Sequence, residues 1–302
     1  MSTEASVLAQ VSDGLAAAVE KAAVSTVLVN ARRRIPASGI IWSADGLIVT
    51  ADHVIERDEI EVVLANGAKL AATVVGRDPG SDIAVLKVAG SGLTPAAQAP
   101  AGSAKVGSMV LAVGRPTTEG PMASFGVVGA IGGPWRTFRG TEVEGYLRSD
   151  TTFYPGFSGG PLIDAEGRVV GINSSRLGRG AGMTIPVAAL ERIVGDLLSG
   201  GKVRRAYLGI SSQVAKLPSA LASLVDGRET GLLIVSVESE SPADAAGILI
   251  GDILVEFDGA PVTDTDSLQV HLGPARIGQA TAAAILRGGE LKTVSVTVGE
   301  RS

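Results

Sequence analysis

Gly39-Ile40-Ile41-Trp42-Ser43-Ala44-Asp45-Gly46-Leu47-Ile48-Val49-Thr50 reads as two short strands around a tight turn. Branched and aliphatic residues fill both runs, and Ala44-Asp45-Gly46 supplies the turn chemistry between them. The same grammar extends in both directions. Thr26–Val29 lies upstream; Ile60–Leu64, Ala71–Val75, Ile83–Val88, Met109–Val113, Phe125–Ile131, Val169–Ile172 and Gly182–Ile185 lie downstream. Turns such as Ala65-Asn66-Gly67 separate them. Short strands in series without intervening helices predict a mainly β domain of closed antiparallel barrels, not a parallel sheet.

Helical periodicity brackets this region. Val7, Leu8, Val11, Leu15, Val19 and Ala22 recur at helical spacing, so residues 5–22 are expected to be an amphipathic helix. A second helix is expected over 187–199: Pro186 suits a helix start, and Leu190, Ile193, Val194 and Leu197 form one stripe. Ser199-Gly200-Gly201 then reads as a linker. Residues 203–299 form another β-rich unit with helices near Pro242–Ala246 and Thr265–Leu272. The expected organisation is an N-terminal helical segment (1–22), a barrel domain with its C-terminal helix (23–199) and a second domain (200–302).

Composition narrows the chemistry. The 302 residues are 45% hydrophobic and 19% charged, which is globular. A net charge of −5 and no basic face argue against a nucleic-acid partner. The absence of cysteine excludes disulfides, thiol catalysis and Cys-ligated metal. No apolar run reaches the roughly 18 residues of a membrane span. Met1–Glu20 lacks a basic start followed by an apolar core. The expectation is therefore a cytoplasmic chain as written, or a periplasmic or other extracytoplasmic one after removal of a leader.

Gly156-Phe157-Ser158-Gly159-Gly160-Pro161 is a glycine-rich turn around a serine. A serine hydroxyl is a weak nucleophile that needs a base within hydrogen-bond reach and a carboxylate to orient that base. The chain has only two histidines. His53 follows an expected strand in Val49-Thr50-Ala51-Asp52-His53-Val54, whereas His271 lies in the second domain. Asp82, opening the apolar run Ile83–Val88, is the best-placed carboxylate between His53 and Ser158. The glycines let the N–H groups of Gly156 and Ser158 converge as an oxyanion hole. The order His53, Asp82, Ser158 is that of chymotrypsin-type enzymes, not of α/β-hydrolases or subtilisins.

At these residues the chain resembles the HtrA (Deg) family of serine proteases. Ser38-Gly39-Ile40-Ile41 and Asp45–Thr50 lead into His53 as in that family. The segments around Asp82 and Ser158 match its Asp and Ser motifs, and Gly171-Ile172-Asn173 and Gly182-Met183-Thr184-Ile185-Pro186 match its last barrel strands. The resemblance implies a chymotrypsin-like double β-barrel followed by a PDZ domain. It also implies an ATP-independent endopeptidase, without cofactor or metal, that cleaves unfolded or damaged polypeptides as a homotrimer or higher oligomer. Phe157 stands where the family usually has Asn, Asp52 where Asn or Ala is common, and no aromatic precedes Trp42.

Six positions before the serine, where trypsin-like pockets carry an acid, is Thr152. With Phe153, Ile172, Asn173 and Ser174 it is expected to line a modest apolar pocket, favouring small or medium apolar residues before the scissile bond. Tyr207-Leu208-Gly209-Ile210 resembles the carboxylate-binding loop of a PDZ domain, as Ser241–Gly247 and Gly251–Leu254 resemble its following segment. Backbone N–H groups of that loop would hold the C-terminus of a peptide added as a strand. Two competing readings are a binding module built on an inactive barrel and a general esterase.

Overall fold

The computed structural model describes residues 6–90, 92–137, 142–178, 182–200, 205–273 and 276–301, so Gly201 of the expected linker lies outside the described residues. The chain divides into two compact units, residues 1–203 and 204–302. The first unit begins with α1 (Val7–Ala23), whose N-cap Ser6 accepts the Ala9 N–H. Its strands β1 (Thr26–Asn30), β2 (Ala37–Ile41), β3 (Leu47–Ala51), β4 (Ile60–Val63), β5 (Lys69–Asp78) and β6 (Ile83–Val88) close in the order β1-β2-β3-β6-β5-β4. The β1–β4 pairing seals that barrel.

A second barrel follows. Its members are β7 (Met109–Thr117), β8 (Gly120–Gly132), β11 (Tyr146–Ser149), β12 (Pro161–Ile163), β13 (Val169–Ser174) and β14 (Met183–Pro186). The short pair β9 (Trp135–Arg136) and β10 (Glu142–Val143) stands apart from it. Helix α2 (Val187–Gly200) completes the unit.

Burial explains the sequence pattern. Strands β2 and β13 are buried at every position, so neither alternates apolar with exposed polar residues, and Ser38, Asn173 and Ser174 are buried with their apolar neighbours. One core cluster joins Ile40, Val49 and Ile83 of the first barrel to Val113, Ile163 and Ile172 of the second, with Leu190, Val194 and Leu197 of α2 packed into it. The site therefore lies on loops fixed by a shared core. The N-terminal helix belongs to this unit, since Ala18 and Ala22 join the same cluster. The front of its expected stripe is not core: Val7 and Leu8 are exposed. Ala18 and Ala22 are the helix's buried members of that cluster, with Leu15 and Val19 packed partly buried against the same core.

The second unit contains β15 (Arg205–Tyr207), β16 (Ile210–Lys216), α3 (Ser219–Ala222), β17 (Thr230–Val237), α4 (Pro242–Ala245), β18 (Ile253–Phe257), β19 (Ala260–Pro261), α5 (Thr265–His271), β20 (Ala280–Arg287), β21 (Glu290–Thr297) and β22 (Gly299–Arg301). The main sheet runs β16-β17-β18-β20-β21, which leaves β16 at an edge. Ser241 caps α4, and Asp264 with Ser267 forms a capping box on α5.

Candidate active site

Strand β3 delivers His53 onto a 3₁₀ turn, Asp52–Val54. The His53 backbone N–H donates to Asp82 Oδ1 at 2.9 Å, and Nδ1 lies 3.0 Å from Oδ1 and 2.8 Å from Oδ2. A carboxylate oxygen accepts, so Nδ1 carries the ring proton and Nε2 presents its lone pair. The Asp52 N–H also donates to the Asp82 carbonyl, so backbone and side chain of one residue hold the turn.

Asp82 is buried, with φ of 59°, in the turn between β5 and β6. Asp tolerates this left-handed region better than most residues. Asp78 braces the turn: its carboxylate accepts the N–H groups of Gly80 and Ser81 and the Ser81 hydroxyl. Asp52 points elsewhere. Its Oδ1 accepts Arg77 Nε at 2.6 Å, and Arg77 Nη2 reaches the carbonyls of Asp52 and Ile55.

The serine loop is built on a turn over Tyr154–Phe157, in which Phe157 N–H donates to the Tyr154 carbonyl. Pro155 presets the first central position. Gly156, with φ of 91°, supplies the second, as a type II turn requires. A Cβ at Gly156 would stand 2.5 Å from Pro116 Cβ. Ser38 fastens the loop to β2: its hydroxyl donates to the Gly156 carbonyl at 2.7 Å, and its N–H donates to the Ser158 carbonyl. The Arg115 N–H donates to the same Ser38 hydroxyl. Among the described residues, no carbonyl accepts the N–H of Gly156 or Ser158.

Ser158 Oγ is engaged by Ser175. The two hydroxyl oxygens are 2.8 Å apart, and the Ser175 N–H donates to Ser158 Oγ at 3.2 Å. Among the described residues no hydrogen bond joins Ser158 Oγ to His53. Phe157, fully buried, fills the second barrel's own cluster and meets Tyr154 edge-on at 5.4 Å.

The residues expected to line a pocket divide. Thr152 is exposed and its carbonyl accepts the Ser124 hydroxyl, while the Phe153 ring lies over Gly182. The other three side chains are corrected. Ile172 belongs to the core cluster. Asn173 is fully buried, its amide donating to the Pro161 carbonyl and accepting the Thr184 hydroxyl. The Ser174 hydroxyl donates to Asp82 Oδ2 at 2.5 Å. Strand β13 thus turns these side chains to packing and to the carboxylate, and offers a pocket only its backbone.

In the second unit, Leu208 is core, while Gly209 adopts φ of 82° and gives its carbonyl to the Glu238 N–H. The Ala243 N–H holds the Leu208 carbonyl, and Tyr207 donates its hydroxyl to Glu238. Ile210 opens the edge strand β16. Among the described residues no carbonyl accepts the N–H of Leu208 or Gly209.

Residues 37–172 match the trypsin-like peptidase domain, and residues 206–298 match the PDZ domain. The solved serine endoprotease from Yersinia pestis superposes with a TM-score of 0.74 at 30% identity, over 94% of this chain and 97% of that one. The HtrA-type protease AlgW with tripeptide superposes with a TM-score of 0.72 at 30% identity, over 95% and 97%. The chain belongs to the HtrA-type serine proteases. A probable periplasmic serine endoprotease DegP-like from Ectopseudomonas mendocina (strain ymp) is 34% identical over 268 residues, covering 87% of this chain and 56% of the relative. This HtrA-type chain therefore spans about half the length of the curated relatives it matches.

Three polar residues of the HtrA-type site escape the sequence reading as functional groups, Ser38, Arg77 and Ser175, and Ser174 is read there as pocket lining rather than as a partner of Asp82. Ser174 stands 92 positions from its partner Asp82, and no spacing rule announces such a contact. Ser38 and Ser175 meet the serine loop across the fold in the same way.

Proposed function

We propose that this chain is an ATP-independent serine endopeptidase acting on unfolded or damaged polypeptides through Ser158, His53 and Asp82. The observation that carries the reading is the two-oxygen grip of buried Asp82 on His53 Nδ1, which leaves Nε2 as base. Ser158 Oγ attacks the scissile carbonyl carbon while its proton passes to Nε2. The carbonyl electrons move onto oxygen, where the N–H groups of Gly156 and Ser158 receive the charge. Collapse expels the amine, which takes the proton from Nε2, and water repeats the sequence on the acyl-enzyme. An oxyanion donor of this kind is worth about 2.7–4 kcal/mol.

The Phe153 ring, lying over Gly182, is apolar, and Thr152 brings no counter-charge. Both support small or medium apolar residues before the scissile bond; a peptide-library profile dominated by Lys or Arg would sink that preference. The PDZ unit, with its edge strand and Tyr207–Ile210 loop, recruits substrates or regulates cleavage by holding C-terminal peptides. Peptide-bound AlgW supports this role. The DegP-like relatives support a periplasmic location, and a homotrimer or higher oligomer is proposed on the resemblance to the family alone.

Casein hydrolysis by the wild type and by Ser158→Ala, with and without a C-terminal peptide, tests the central claim. The variant is expected to lose at least about 10³-fold in rate. Equal rates, or no cleavage by the wild type in either condition, would remove the assignment and favour a binding module.

A further inference from the structure

Strand β13 ends at Ser174, and the chain then turns back around that side chain. The N–H groups of Arg176 and Leu177 donate to Ser174 Oγ, and Leu177 is anchored in the core between the barrels. Ser174 Oγ itself donates to Asp82. The turn places Ser175, an exposed residue, directly against Ser158. Adjacent serines thus touch the two ends of the catalytic set, Ser174 at the carboxylate and Ser175 at the nucleophile.

We propose that Ser175 is a positioning residue that holds the Ser158 hydroxyl in a resting orientation, away from His53, until substrate or activator loosens the 174–177 turn. This rests on the reading of Ser158 as nucleophile. The argument holds for either direction of the Oγ–Oγ bond. If Ser158 donates, its proton points away from the base. If Ser175 donates, Ser158 Oγ accepts two hydrogen bonds, one from the Ser175 hydroxyl and one from its N–H, and its lone pairs are occupied. In both cases attack requires rotation of Oγ from Ser175 to His53 Nε2. Removing the Ser175 hydroxyl removes one of the two restraints and leaves its N–H.

The test is inactivation of the full chain by a fluorophosphonate, with the labelled residue located by mass spectrometry, beside small-ester kinetics. Wild type, Ser175→Ala and Ser175→Thr are compared, with Ser158→Ala as the blank. Ser175→Ala should be labelled at Ser158 about 3- to 10-fold faster, the range set by one neutral hydrogen bond. Its kcat on the ester should rise by a similar factor with KM unchanged. Ser175→Thr, which keeps a hydroxyl, should stay near the wild type. Labelling at Ser158 with Ser175→Ala no faster than wild type overturns the catch while leaving the nucleophile intact. So does a Ser175→Thr variant that behaves like Ser175→Ala, or a change confined to KM. No labelling at Ser158 in any of the three chains overturns the nucleophile reading itself, and the catch with it.

Discussion

At the residue scale, Phe157 turns the serine loop into part of the second barrel's core. Its ring is fully buried beside Val110, Val128 and Leu162, and a Cβ on Gly114 would stand 2.6 Å from it. The residue before Ser158 therefore anchors the loop by packing. Phe157→Ala should cost about 3–5 kcal/mol, the range for deleting a buried aromatic. Trp42 and Trp135 both lie in the first unit, so their fluorescence in a denaturant titration reads this cost. Ser174 acts through Asp82 instead. Ser174→Ala leaves a buried carboxylate one donor short, and a hydrogen bond to a charged group is worth about 1.5–3 kcal/mol. We expect kcat/KM on a peptide substrate to fall about 10- to 100-fold, with partial recovery in Ser174→Thr. An unchanged kcat/KM would show that His53 alone orients Asp82 adequately. The sequence singles out Ser158, His53 and Asp82 because each stands in its own segment in a diagnostic order. It hides Ser174, because counting positions along β13 does not tell which way a side chain leaves a strand buried on both faces.

At the element scale, His53 rides on a single 3₁₀ turn and Arg77 grips both ends of it. The guanidinium reaches Asp52 Oδ1 and the carbonyls of Asp52 and Ile55. It is partly exposed, so the ion pair contributes little to stability, but the geometry fixes the pitch of the turn. Arg77→Ala is expected to lower kcat about tenfold with little change in KM; steady-state ester kinetics separate the two. A rise in KM alone would place Arg77 in substrate binding. In the PDZ unit the comparable element is the loop before β16. Gly209 combines a left-handed φ with a neighbour, Ser241 Cβ, that an added Cβ would meet at 2.2 Å. Gly209→Ala should abolish C-terminal peptide binding in a titration while basal casein cleavage persists. Helix periodicity gave a fair account of α1, α2 and α5, and the later half of the α1 stripe, Leu15, Val19 and Ala22, does face the core. Periodicity does not show that the front of the stripe, Val7 and Leu8, stays exposed, or that Ala18 and Ala22, whose small size permits close approach, are the buried members of the seat.

At the scale of the whole molecule, the mainly β character was legible because strand runs and turn residues agree, whereas Ser199 and Gly200 of the expected linker close α2 instead. Long-range charge pairs were not legible, because ion-pair partners far apart in sequence leave no local pattern. Asp252 and Arg287, 35 positions apart, are one such pair in the second unit. Arg287 Nε and Nη2 each reach the Asp252 carboxylate, and Nη2 also donates to the Gly247 carbonyl. Burial pushes the Asp252 carboxyl up, but the hydrogen bonds from Arg287 and from the Leu249 N–H outweigh it and hold the group below its usual range. A depressed carboxyl stabilises the folded unit above the unfolded value of about 3.9 and loses that contribution as pH falls below it towards the folded value. The second unit should therefore weaken in that acid window. Asp252→Asn should cost about 2 kcal/mol at pH 7, as expected for a hydrogen bond to a charged group. It should also flatten the acid dependence. Urea-dependent hydrogen exchange read at Ile253–Phe257 and Ala280–Arg287, in both chains at pH 7 and below 3.9, measures the difference. An acid loss equal in the two proteins would assign the weakening to other carboxylates.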